Sequence, residues 1–121
     1  MAFLWLGEGS ARLSRAARSI VLDPANRLLF SAISAWEIHL KASLGKLPLP
    51  ADPATYIRRI RIARNVESVD FSEDDASHLT RLPDHHRDPF DRALVSQALA
   101  RSFIILTPDD ALRAYPVATV W

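Results

Sequence analysis

Glu37, Asp91 and Asp109 are the side chains of this 121-residue sequence best suited to chemistry. Asp91 belongs to HHRDPFDRALVSQALA, residues 85 to 100. Asp88 stands where an N-cap belongs, and Pro89 fits the first helical position, which needs no N–H donor. Phe90, Ala93, Leu94, Gln97 and Ala98 then recur at the spacing of a helix face turned to a core. Asp91 falls in the first turn, so two carboxylates share a helix N-terminus, where the macrodipole favours negative charge. Either Asp88 caps while Asp91 answers the dipole, or Asp91 faces a pocket and helps hold a divalent cation. The second reading requires other acids to converge there.

The elements expected to carry those acids can be read from pattern. Ser10 to Leu22 reads as a helix with Leu13, Ala16, Ala17, Ile20 and Val21 inward and Arg12, Arg15 and Arg18 on another face. Arg27 to Ser31 is a short apolar run bounded by turn residues, a buried strand. In SAISAWEIHLKASLGKL, Ile33, Trp36, Leu40 and Leu44 line one side of a helix that Gly45 ends as a left-handed cap. Glu37 adjoins that stripe, either facing solvent or sitting near the strand's carboxyl end.

Asp52-Pro53 opens a further helix to about Ala63, with Tyr56, Ile57 and Ile60 inward. Arg58, Arg61 and Arg64 lie on another side, either as a solvated face or as contacts to an RNA backbone. Val66 to Phe71 reads as a short strand. Ser72 with Asp75 resembles a capping box opening a helix that turns Ala76 and Leu79 inward and stops before Pro83. Glu73, Asp74 and Asp75 then read as first-turn acids on a solvated surface. Ser102 to Leu106 is a second buried strand, Ala111 to Tyr115 a short helix, and VATVW a last strand.

Strands alternating with helices predict an α/β fold built on a mainly parallel sheet covered on both faces. Ligands of such sheets collect at the carboxyl ends of strands. Glu37 comes after one strand, Asp109 after another, and Asp91 opens a helix between them. The three acids are expected to meet at one edge, the oxygen-rich arrangement that takes Mg²⁺ or Mn²⁺. A cation there offsets the repulsion between carboxylates and can activate a water against a phosphodiester.

Composition narrows the classes. A net charge of +1 gives no global field for nucleic acid, so any such contact uses local patches. The absence of cysteine excludes disulfides and thiolate metal sites, and the four histidines lack zinc-ligand spacing. MAFLWLG has no basic flank and is too short for a signal peptide or a membrane span, leaving a soluble cytoplasmic protein as the expectation. At this length a single domain over residues 1–121 is expected.

The order SAISAWEI-x-x-K-x-x-LGKL-x-LP, then LP-x-HHRDPFDRALVSQA, then T-x-D before a short helix, resembles the PIN-domain family. More narrowly it is similar to the VapC-type toxins of bacterial toxin–antitoxin pairs, over nearly the whole chain. The resemblance implies a PIN-like central parallel sheet flanked by helices and Mg²⁺- or Mn²⁺-dependent RNA cleavage. It also implies a homodimer held inactive by a cognate antitoxin. Glu37, Asp91 and Asp109 match the family's metal-binding acids, with Asp88 and Thr107 as supporting residues. Arg58, Arg61, Arg64 and Arg87 are candidates for steering RNA.

One family feature is missing. Relatives open with an apolar strand ending in an Asp, and MAFLWLGEGSARLS aligns with the segment after that Asp. Glu8, flanked by glycines, is a poor substitute. The expected explanation is a true start upstream of Met1. The competing one is a weakened relative that binds an antitoxin or RNA without cutting.

Overall fold

Short polar side chains decide where most of the helices begin. In the computed structural model, residues 1–83 and 88–121 are described. They form α1 (Ala2–Glu8), α2 (Arg15–Leu22), β1 (Leu28–Ser31), α3 (Ala32–Ser43), α4 (Pro53–Arg64), β2 (Val66–Val69), α5 (Pro89–Arg101), β3 (Ile105–Leu106), α6 (Asp110–Arg113) and β4 (Thr119–Val120). Ser14 accepts from the Ala17 amide, Asp52 from Thr55, Asp88 from Phe90 and Asp91, and Asp109 from Ala111. Each bond satisfies a donor that the first helical turn leaves open. Pro53 and Pro89 occupy first-turn positions as expected.

Two compact units result, Met1–Asp70 and Phe71–Trp121. In the first, β1 and β2 pair in parallel, from Leu28 opposite Val66 to Ser31 opposite Val69. Helix α4 packs on α1, α3 and β2, burying Tyr56, Ile57 and Ile60 as its spacing predicts. Phe3 of α1 stacks on Phe30 of β1, ring centroids 3.9 Å apart. Gly7 is required at the α1–α4 contact, because a Cβ there would lie 2.5 Å from Ile60 Cδ1 and Cγ1. Ile60 is buried, and its Cγ2 also lies 3.3 Å from the same point. Gly7→Ala is therefore expected to lose stability despite alanine's better helix propensity. The overpacking costs about 1–3 kcal/mol against a propensity gain of about 1 kcal/mol. Thermal unfolding by circular dichroism would show a melting point lower by several degrees.

In the second unit, β3 and β4 pair in parallel, Ile105 opposite Thr119 and Leu106 opposite Val120. Leu82, Val95, Leu112 and Tyr115 form its apolar centre. Short parallel strands alternating with helices give the mixed α/β class that the sequence predicts.

Several boundaries and faces differ from expectation. Helix α2 begins at Arg15 rather than Ser10, because Ser14 is its cap, so Arg12 is not on it. Helix α3 buries Ile33, Glu37 and Ile38, leaving Trp36, Leu40 and Leu44 exposed instead of inward. It is apolar on two sides, so periodicity alone cannot choose the buried one. The segment after Ser72 forms two 3-10 turns, Asp74–Ala76 and Leu79–Arg81, in place of an α-helix. Strand β3 is shorter than Ser102 to Leu106, since Ser102 is the left-handed cap of α5 at φ 58°. Helix α6 spans Asp110–Arg113 instead of Ala111 to Tyr115.

The largest correction concerns Asp75. The capping box forms as expected, with the Ser72 amide donating to Asp75 Oδ2 and the Asp75 amide to Ser72 Oγ. Its carboxylate, however, is buried, not solvated. Arg101 donates to both oxygens, from Nε to Oδ1 and from Nη2 to Oδ2, each at 2.7 Å. Gln97 Nε2 adds a bond to Oδ2, and Ser96 Oγ donates to the Asp75 carbonyl. This network ties the first 3-10 turn to α5.

Candidate active site

The turn from β1 into α3 leaves no loop. Ser31 ends the strand, and its Oγ accepts from the Ile33 amide to start the helix. Glu37 comes one turn later on the buried face, 8% exposed. The solvent-facing reading of Glu37 is therefore set aside. One further turn along, Lys41 Nζ donates to Glu37 Oε2 in an ion pair. A Glu four residues before a Lys is the favourable orientation along a helix. The Lys41 side chain is 43% exposed and reaches the carboxylate from the solvent side.

Asp91 lies in the first turn of α5, half-buried. Asp88 Oδ1 accepts from the Phe90 and Asp91 amides at 2.9 and 3.2 Å. Capping by Asp88 and a first-turn place for Asp91 thus hold together, and Asp88 fixes the backbone from which Asp91 projects. Next to it, Arg92 donates to the Leu79 and Pro83 carbonyls and to the Tyr115 hydroxyl. Asp109 comes after β3 as expected, exposed, with its Oδ1 engaged by the Ala111 amide. Thr107 is buried, and its Oγ1 accepts from the Asp109 amide at 3.1 Å.

The structure thus pairs Asp88 with Asp91 and Thr107 with Asp109 through backbone bonds. Glu37 belongs to the first unit, Asp91 and Asp109 to the second. Among the described residues no group of three or more His, Cys, Asp and Glu side chains is arranged to hold a metal ion. The candidates are all carboxylates, the donor type that hard divalent cations take, but the expected meeting of the three at one edge is not found among the described residues.

Of the arginines, Arg58 and Arg64 are exposed, while Arg61 Nε reaches the Val66 carbonyl at 3.4 Å. Arg64 and Arg18 line an otherwise apolar cleft with Leu6, Leu13 and Val21. Arg87, with His85 and His86, lies outside the described residues. Lys41 is the K of the SAISAWEI-x-x-K motif, and its spacing from Glu37 is the sequence signal of their ion pair.

A family model described as PIN domain matches residues 2–118. Over 55 residues the chain is 47% identical to Ribonuclease VapC16 of Mycobacterium tuberculosis (strain ATCC 25618 / H37Rv). That stretch is 44% of this chain and 39% of that protein, so the match spans less than half of either.

Proposed function

Because this chain belongs to the PIN-domain family, we propose that it is a Mg²⁺- or Mn²⁺-dependent endoribonuclease acting as the toxin of a toxin–antitoxin pair. The observation that carries this reading is the family match itself, which runs through Glu37, Asp91 and Asp109 in order. It also supports one PIN domain over residues 1–121, since it crosses from Met1–Asp70 into Phe71–Trp121.

In this reading Glu37, Asp91 and Asp109 supply the oxygen ligands. A bound Mg²⁺ or Mn²⁺ would lower the pKa of a water and offset charge on the phosphodiester. Asp88 holds the first turn of α5 so that Asp91 keeps its direction. Thr107 fixes the turn that presents Asp109. Arg58, Arg61, Arg64 and Arg87 steer RNA by phosphate contacts, which weaken as salt rises. The partners are the RNA substrate, a second copy of the chain and a cognate antitoxin, and the expected location is the cytoplasm. No helix among the described residues is long and apolar enough to cross a membrane.

Incubating the chain with mixed tRNA and mRNA tests the reading. Cleavage is expected with Mg²⁺ or Mn²⁺ and should stop with EDTA. Cleavage that persists in EDTA, or none with either metal, would sink it.

A further inference from the structure

We propose that Arg92 is a positioning residue for RNA cleavage: by tying the start of α5 to Tyr115, it sets where Asp91 stands relative to Asp109. The inference rests on both acids serving that reaction, as the proposed function has it.

Arg92 follows Asp91 in α5, and its half-buried side chain turns back onto its own unit. Nη1 donates to the Pro83 carbonyl at 3.0 Å and to the Tyr115 hydroxyl at 3.3 Å. Nη2 donates to the Leu79 carbonyl at 3.2 Å. All three acceptors are neutral, and among the described residues no carboxylate pairs with this guanidinium. Donors spread over two nitrogens of a rigid fork suit acceptors on separate segments, which the single ammonium of a lysine does not span. The bonds of Arg92 therefore fix geometry more than they add charge attraction.

The Tyr115 end leads back to Asp109. Tyr115 lies two residues beyond α6 and is buried in the apolar centre with Leu82, Val95 and Leu112. Its amide donates to the Leu112 carbonyl, and the Leu112 amide donates to the Asp109 carbonyl, each at 3.2 Å. A run of hydrogen bonds thus connects the residue beside Asp91 to the backbone of Asp109, all within one compact unit. The Asp88 cap and the Thr107 bond hold each acid locally, while Arg92 adds the polar tie between the two turns. Without it both local bonds persist, but the two turns lose their mutual register. A displacement of about 1 Å is enough to cost a reaction on the order of 100-fold.

The experiment is steady-state RNA cleavage by the full chain, with kcat and KM resolved, beside thermal unfolding of each variant. Tyr115→Phe removes only the hydroxyl and is expected to lower kcat about tenfold, the worth of one hydrogen bond. Arg92→Lys keeps the charge without the fork and should lose a similar amount. Arg92→Met should lose about 100-fold. KM is expected to stay at the wild-type value in all three, with every protein assayed well below its melting point. Adding Tyr115→Phe to Arg92→Met should cost little more, because the two act through one bond. An arginine that only stabilises the fold would lower the melting point and leave kcat per folded molecule intact. Wild-type kcat in both Tyr115→Phe and Arg92→Lys, or a loss confined to KM, overturns the role of Arg92 and leaves the nuclease reading standing. Absence of cleavage by every protein, wild type included, overturns both.

Discussion

Replacing Asp75 by alanine is expected to cost about 2–4 kcal/mol of stability, a large part of the roughly 5–15 kcal/mol that holds a domain folded. The carboxylate is buried, and its removal takes away the acceptor of four hydrogen bonds, two from the Arg101 guanidinium, one from Gln97 Nε2 and one from the Ser72 amide. Urea unfolding near neutral pH measures the loss. Replacing both partners by apolar residues, Asp75→Leu with Arg101→Met, should recover part of it, because no charge is then left unpaired.

The same pair gives the protein an acid limit. Arg101, with the Ser72 and Gln97 bonds, holds the Asp75 carboxyl well below its ordinary value of 3.8, against the opposing effect of burial. A group with a depressed folded-state pKa stabilises above its unfolded value and loses that contribution as pH falls toward the folded one. Stability should therefore fall as pH drops below about 4 in wild type and more gently in Asp75→Asn. Parallel curves for the two proteins would mean that Asp75 is not the titrating brace.

Asp75 also marks where the sequence stops being readable. Its bonds to Ser72 span three residues and are implied by the capping-box pattern. Its bond to Arg101 spans 26 residues, and nothing in either local pattern points to the other. The caps at Asp52 and Asp88, the prolines after them and the left-handed Gly45 at φ 69° are legible for the same reason, being local. The inward face of α3 is not. Ile33, Trp36, Leu40 and Leu44 satisfy helical spacing as well as Ile33, Glu37 and Ile38 do, and packing on β1 and α4 selects the second set. Burial of Glu37 comes from that tertiary choice. The local settings of Asp91 and Asp109 are legible because each depends on a cap or a strand end.

Asp91→Asn is expected to carry the largest effect on activity. The amide keeps the size of the side chain and its place in the first turn of α5, while the charge that would hold a divalent cation is lost. Charge stabilisation by a metal supplies several kcal/mol at the transition state, so RNA cleavage should fall by about 100-fold or more. Melting should move far less than in Asp75→Ala, which separates loss of chemistry from loss of fold. Asp91 also neighbours the Asp88 cap, whose bond goes to the Asp91 backbone amide and survives the substitution. The most direct measurement is the Mg²⁺-dependent cleavage rate of Asp91→Asn beside wild type, purified in parallel. Wild-type cutting that EDTA stops and the variant lacks is the expected result. Equal rates for the two proteins would contradict the account and leave a PIN module that binds its antitoxin or RNA without cleaving.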